Sequence, residues 1–277
     1  MKNLVFIIGH GRTASTAIVE ICNLASNAKF YSEKTPKLCM ESRLQYEGKT
    51  EISLSDIKKL KNDLYLESIK HDIVIGDKNP NYLLFVEDLF QLFECKFIFL
   101  YKKPIDVIQS CINAANYNSN RGRGVFFGSA EDDQDSAITN KEDWWDYSRF
   151  RPKKDKDSEI YITWKQLSQI EKAAWSWNRF HEILIEKILL IPRNKRIVLD
   201  SNKLTVSKIR SVYKFCDIGG FDEKNVANHL NSKINSYVAN AREIGNEFIA
   251  STEAKNLIQK HTKQTHEKFI DIILNER

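Results

Sequence analysis

The sequence predicts an α/β fold, a three-layer sandwich in which helices cover both faces of a mostly parallel sheet. Three observations carry this prediction. Short apolar runs alternate with longer amphipathic segments along the 277 residues. Residues 4–8 (LVFII) form one such run and lead into a glycine loop and then a helix-like segment. Residues 95–101 are almost all apolar, which is typical of a central parallel strand.

The elements follow in order from these patterns. Four β-rich apolar runs predict strands at 4–8, 72–75, 95–101 and 195–199. Apolar residues at helical spacing predict helices at 15–27, 54–70, 80–93, 104–117, 163–190, 205–217, 222–232 and 251–275. Pro104 suits the first turn of its helix, and Asp106 favours the positive end of the helix dipole. We expect a single domain over 1–277, since this length can bury one large core.

Residues 117–160 depart from this alternation. They are rich in Asn, Gly, Ser and charge, and a connection this long inside a domain is usually functional. We expect an insertion here that forms a lid or an acceptor pocket. Acidic residues surround Trp144 and Trp145, and acids beside aromatic rings favour a cationic small molecule.

The segment 9–16 (GHGRTAST) has the composition of an anion site. A strand, a glycine turn and a helix N-terminus together present unpaired backbone N–H groups and partial positive charge. Arg12 adds a permanent charge with a planar fork of donors. Hydroxyl donors come from Thr13, Ser15 and Thr16. We therefore expect this loop to bind a phosphate or a similar group.

The ATP-binding pattern G-x-x-x-x-G-K-[ST] would begin at Gly9, but Ala14 and Ser15 stand where Gly and Lys belong. That lysine reaches the β- and γ-phosphates, so its absence disfavours an ordinary ATP or GTP site. A divergent kinase that uses ATP and Mg²⁺ on a small molecule stays open as the alternative. A non-catalytic anion-binding protein is a second alternative.

A second basic segment follows the predicted strand at 95–101. Lys102, Pro104, Asp106 and Ser110 match the spacing R-x-P-x-D-x-x-x-S, with Lys in the Arg position. Together with the Arg-Thr-Ala-Ser-Thr run, this pattern resembles the sulfotransferases that use 3′-phosphoadenosine-5′-phosphosulfate (PAPS). The resemblance is greatest to the tyrosyl-protein, heparan and bacterial small-molecule branches. It implies that PAPS contacts Gly11, Arg12, Thr13, Ala14, Ser15, Thr16, Lys102 and Ser110.

The sequence departs from the family pattern at Ala14, where glycine is usual. The loop must therefore avoid positive φ at this position or tolerate backbone strain.

Two further segments complete the resemblance. Asp77-Lys78-Asn79-Pro80-Asn81-Tyr82 looks like the family segment E-K-[ST]-P-x-Y, and Glu33 lies twenty-one residues after Arg12, where related enzymes carry a glutamate base. The resemblance implies catalytic roles for Glu33, Arg12 and Lys78. His10 and His71 are weaker candidates for the base.

The implied function is transfer of a sulfuryl group to a hydroxyl or amine, with a natural product as one candidate acceptor. We expect no metal. The net charge of +5 is small and dispersed, which disfavours a nucleic-acid partner. Five scattered cysteines indicate reduced thiols and a cytoplasmic protein, and no apolar run has the length of a membrane span. The oligomeric state is left open.

Overall fold

The fold is built on one sheet of five parallel strands in the order β2-β3-β1-β4-β5. A computed structural model describes residues 4–34, 45–46, 54–93, 95–119, 150–232 and 251–275. The strands are β1 (Leu4–Gly9), β2 (Ala28–Ser32), β3 (Val74–Lys78), β4 (Lys96–Tyr101) and β5 (Arg196–Asp200). All four predicted strands are present, and the predicted α/β class with a parallel sheet is confirmed.

Nine α-helices lie in the described part of the chain. They are α1 (Ser15–Cys22), α2 (Leu54–His71), α3 (Val86–Phe93), α4 (Pro104–Ser119), α5 (Ser158–Thr163), α6 (Gln169–Leu190), α7 (Val206–Cys216), α8 (Glu223–Asn231) and α9 (Thr252–Asn275). Short 3₁₀ turns occupy Pro80–Phe85, Trp164–Gln166, Arg193–Lys195 and Ser201–Lys203. None of the helices seen in these ranges combines the length and the apolar character that a membrane crossing requires.

The sheet separates two apolar cores because side chains alternate between its faces. On one face Phe6 and Phe97 pack with residues of α2, α4, α6 and α9. On the other face Ile7 and Ile98 pack with residues of α1, α7 and α8. The two cores give the three layers that the alternating pattern predicts.

The prediction missed strand β2 and extended helix α1 too far. The helix ends at Cys22 rather than at residue 27, and a fifth strand follows at Ala28–Ser32. The side chain of Asn23 explains the break, since its amide donates to the carbonyl oxygen of Phe30 at 2.9 Å and accepts from the Phe30 N–H at 2.6 Å. These bonds turn the chain back onto the edge of the sheet.

Two predicted helices each contain a 3₁₀ turn followed by a shorter α-helix. In the 80–93 segment the Asn79 side chain accepts from the Asn81 N–H at 2.9 Å and begins a 3₁₀ turn before α3. In the 163–190 segment Ser168 forms a capping box with Glu171, so α6 begins at Gln169. Local side-chain bonds to the backbone therefore set the start of the 3₁₀ turn at Pro80 and the start of α6 at Gln169.

The segment 117–160, predicted as an insertion, overlaps helices at both ends. Helix α4 continues to Ser119, and α5 begins at Ser158. Residues 120–149, which include Trp144 and Trp145 and the acids around them, lie outside the described residues.

The parallel arrangement brings all five strand carboxyl ends to one edge of the sheet. The connection after β1 leads toward β2 on one side, and the connection after β4 leads toward β5 on the other. In open α/β sheets a crevice forms where neighbouring connections diverge in this way. Residues 10–14 and 102–103 cross this edge between β1 and β4.

Candidate active site

The loop after β1 is held tightly against β4. A Cβ atom on Gly9 would lie 2.7 Å from the Leu100 Cβ and from the Thr13 Oγ1, so only glycine fits there. The Thr13 hydroxyl is fully buried and donates to the carbonyl oxygen of His10 at 2.7 Å. Thr13 thus closes the loop, while Ser15 begins helix α1 directly behind it.

The same loop stores backbone strain at two positions. Arg12 has φ of 76° and Ala14 has φ of 61°, both in the left-handed region that favours glycine. Ala14 is the N-cap of α1 and makes no side-chain capping bond. Of the two possibilities left open for position 14, the chain adopts the strained one. Strained backbone of this kind is characteristic of ligand sites.

We expect Ala14→Gly to stabilise the protein by up to about 1 kcal/mol. Removing the Cβ relieves the left-handed strain, and the greater freedom of glycine in the unfolded chain offsets part of the gain. Urea denaturation of the two proteins measures the difference. Ala17→Gly, in the first turn of α1, serves as the control and should destabilise by up to about 1 kcal/mol. A loss of stability in Ala14→Gly as large as that in the control would show that the left-handed backbone at Ala14 does not destabilise the fold.

Arg12 connects the two predicted anion motifs. Its Nε donates to the Ser110 Oγ at 2.9 Å, although the residues are 98 positions apart. Ser110 lies on α4, which follows β4, and β4 is hydrogen-bonded to β1. The guanidinium therefore lies between the loop at 9–16 and the first turns of α4, where both motifs face the same crevice.

Lys102 follows β4 directly and belongs to the same group of cations. Burial lowers the pKa of its ammonium, the nearby Arg12 charge lowers it further, and Asp106 raises it. Its carbonyl oxygen accepts a hydrogen bond from Trp177 Nε1 at 3.2 Å. A partly desolvated ammonium beside a guanidinium favours an anionic ligand, because a bound anion stabilises both charges.

Glu33 and Lys78 meet at the ends of two neighbouring strands. Lys78 Nζ donates to Glu33 Oε1 at 2.8 Å, and the Glu33 N–H donates to the Lys78 carbonyl oxygen at 2.8 Å. Glu33 has φ of 61°, which turns its side chain out of the line of β2. The side chains of Lys78 and Glu33 are 10% and 22% exposed, so the pair is shielded yet within reach of a ligand.

The two histidines named as weaker base candidates occupy very different positions. His10 is almost fully buried within the loop, and its Nδ1 lies 2.7 Å from the carbonyl oxygen of Gly11. Its Nε2 lies 3.4 Å from the Ser176 Oγ on α6. His71 is exposed and ends α2 before β3 begins, at the opposite edge of the sheet.

Three residues at this edge have structural roles that the sequence did not reveal. Trp177 on α6 holds the Lys102 backbone, because its indole N–H donates to the Lys102 carbonyl oxygen. Asp77 and Tyr82 are motif positions in the sequence, and in the structure the Tyr82 hydroxyl donates to Asp77 Oδ2 at 2.5 Å. Their spacing in the D-K-x-P-x-Y segment is the sequence feature that points to this contact. Among the described residues no cluster of His, Cys, Asp or Glu could hold a metal ion.

Comparison with known proteins gives structural neighbours only. No model of a known protein family matches the sequence, and no curated protein matches it. Among solved structures, the chain is similar to a sulfotransferase from Alicyclobacillus acidocaldarius, with 10% identity, 94% and 95% of the two chains covered and a TM-score of 0.47. It is also similar to the sulfotransferase domain of the curacin biosynthetic pathway, with 13% identity, 98% of each chain covered and a TM-score of 0.43.

A third neighbour is the sulfotransferase STF1 from Mycobacterium tuberculosis H37Rv, with 10% identity, 90% of this chain and 77% of that chain covered, and a TM-score of 0.41. All three are sulfotransferases.

Proposed function

We propose that this protein is a sulfotransferase that moves the sulfuryl group of PAPS to a hydroxyl or amine of a small-molecule acceptor. The hydrogen bond between Arg12 and Ser110 carries the proposal. It joins the loop suited to a 5′-phosphosulfate to the helix suited to a 3′-phosphate. A single ligand with anionic groups at both ends, such as PAPS, fits a crevice whose two anion motifs face each other.

The binding residues divide between the two ends of such a ligand. At the 5′ end, backbone N–H groups at the start of α1 and the guanidinium of Arg12 would bind the phosphosulfate. The Thr13 N–H does not belong to this set, because it donates to the His10 carbonyl oxygen at 3.2 Å. At the 3′ end, Lys102 supplies a point charge and Ser110 a hydroxyl donor. Ser15 stands where a kinase carries its phosphate-binding lysine, which favours PAPS over ATP.

The proposed reaction is an in-line displacement at sulfur. The acceptor oxygen or nitrogen bonds to sulfur while Glu33 takes the acceptor proton. The bond between sulfur and the bridging oxygen breaks, and 3′-phosphoadenosine-5′-phosphate (PAP) leaves with the electron pair. Arg12 and Lys78 stabilise the charge that grows on the bridging oxygen. A sulfuryl group carries less negative charge than a γ-phosphoryl group, so protein cations suffice for this step.

For the acceptor we propose a chemical class. Acids and tryptophans in the 120–149 segment favour a neutral or cationic molecule, such as a natural product with an amine or guanidinium. We include no nucleic acid or membrane among the proposed partners.

We expect Lys102→Ala to weaken binding of PAP by about 10- to 100-fold. The variant loses a charge-assisted hydrogen bond to the 3′-phosphate, and such bonds contribute about 1.5–3 kcal/mol. Calorimetric titration with PAP measures the change, and kcat at saturating PAPS should be nearly unaltered. The matched control is Lys103→Ala, which removes the same charge from the exposed neighbouring residue. Equal PAP affinity in Lys102→Ala and wild type would overturn the 3′-phosphate assignment.

A further inference from the structure

Asp77 is a buried carboxylate one residue away from the proposed catalytic machinery. It lies in β3 next to Lys78 and is fully buried. Both of its oxygens lie 3.3 Å from the backbone nitrogen of Lys34, which donates to them, and Oδ2 accepts from the Tyr82 hydroxyl at 2.5 Å. Asp77 therefore connects the turn after β2 to the 3₁₀ turn after β3.

These bonds fix the backbone on both sides of Glu33. The N–H of Glu33 is bonded to the Lys78 carbonyl, and the next N–H along the chain, that of Lys34, is bonded to Asp77. Between these two anchors Glu33 keeps its left-handed φ of 61°. Without the second anchor, the peptide after Glu33 would be free to relax toward an extended conformation, and the carboxylate would move with it.

The side chain of Lys34 is drawn away from Glu33. Its Nζ lies 2.9 Å from Glu67 Oε2 on α2, and Tyr31 and Lys29 also bond to Glu67. Glu33 is thus bonded to the ammonium of Lys78 rather than to that of its chain neighbour. The turn after β2, which Asp77 anchors, therefore also sets which cation reaches the proposed base.

Keeping a carboxylate in this position costs folding free energy. Burial raises the pKa of Asp77 to about 6, and the negative charge of Glu33 adds to the rise. Hydrogen bonds from Tyr82 and from the N–H groups of Lys34 and Lys78 lower the pKa and oppose this rise. Since the folded-state pKa lies above the ordinary value, ionisation of Asp77 destabilises the fold as pH rises through about 6. Such a cost is typical of groups that serve function rather than stability.

We propose that Asp77, held by Tyr82, is a positioning residue that sets the place of the Glu33 carboxylate through the Lys34 N–H. The inference rests on the proposed function, because it assumes that Glu33 takes a proton. Asp77 touches neither substrate nor reacting atoms in this scheme. Its effect should therefore appear in kcat and leave the binding of PAP unchanged.

The test compares Asp77→Asn and Tyr82→Phe with wild type in the full chain. The probe is PAPS alone with water as acceptor, and the readouts are sulfate release at saturating PAPS and the Kd of PAP. We expect kcat to fall about 100-fold in Asp77→Asn, since a displacement near 1 Å has effects of this size. Tyr82→Phe should also lower kcat, but to a smaller extent. The Kd of PAP should stay within twofold of wild type in both variants.

A pH profile separates positioning from a merely structural role. The wild-type rate should fall as pH is lowered through about 6, because protonated Asp77 accepts the Lys34 bond more weakly. The pH profile of Asp77→Asn should not show this fall in rate near pH 6, because asparagine does not titrate. The matched controls are Asp63→Asn and Tyr65→Phe on α2, and both should behave as wild type.

The outcomes distinguish this inference from the proposed function. Wild type that neither binds PAP nor consumes PAPS would overturn the proposed function itself. Wild type that does both, with kcat unchanged in Asp77→Asn, would overturn the positioning role alone. If Asp77→Asn fails to fold, Tyr82→Phe decides, because it removes one hydroxyl and keeps the ring. Wild-type kcat in that variant would then overturn the role of the pair.

Discussion

Replacing Arg12 by alanine should lower kcat for sulfuryl transfer by about 100- to 1,000-fold. This range is typical when one preorganised donor to a developing negative charge is removed. Arg12 is held at the meeting point of the two anion motifs by its bond to Ser110, so its charge is in place before the reaction begins. Turnover of labelled PAPS, with water or an acceptor from a screen of alcohols and amines, measures the loss.

Two comparison variants separate the effect of the Arg12 guanidinium from the effect of losing a positive charge. Arg12→Lys keeps the charge and loses the planar fork, so it should recover only part of the rate. Arg210→Ala on α7 removes an exposed arginine that pairs with Glu223, and it should leave the rate unchanged. Near-wild-type turnover in Arg12→Ala would remove this residue from the mechanism.

Replacing Glu33 by glutamine should lower kcat by about 100- to 10,000-fold, the usual contribution of a general base. Glutamine has the same shape and keeps an oxygen that accepts from Lys78, but it cannot take the acceptor proton. The Kd of PAP should stay within twofold of wild type, because Glu33 acts on the acceptor side. Steady-state rates and calorimetry on the same preparations separate these two effects.

The matched control for this variant is Glu87→Gln, which alters an ion pair with Lys187 at an exposed site on α3. It should have the wild-type rate. A rate in Glu33→Gln within threefold of wild type would mean that another group takes the proton. His10, whose ring lies within the anion loop, would then be the next residue to vary.

Much of the fold could be predicted because it depends on local patterns. The apolar runs of β1 and β4 are buried on both sides, so their composition alone indicates central strands. Strand β2 was missed because Ala28–Ser32 is a short edge strand whose burial alternates. The bond that separates it from α1, between Asn23 and Phe30, depends on a tertiary turn that no periodicity reports.

The contacts among the predicted site residues could not be read from the sequence. Spacing placed Arg12 in one motif and Ser110 in another, but their hydrogen bond depends on the neighbouring positions of β1 and β4. The proximity of Glu33 and Lys78 likewise follows from the pairing of β2 with β3. The hydrogen bond between Tyr82 and Asp77 is buried at the end of β3. Spacing in the sequence does not by itself show which buried side chains will be in contact.

The most direct test of the sulfotransferase proposal is calorimetric titration of the wild-type protein with PAP, run beside ATP with and without Mg²⁺. The proposal predicts micromolar binding of PAP that does not depend on Mg²⁺, because Arg12, Lys102 and Ser110 would bind both phosphates without a metal. Binding of ATP with Mg²⁺, and none of PAP, would contradict the proposal and identify the protein as a divergent kinase.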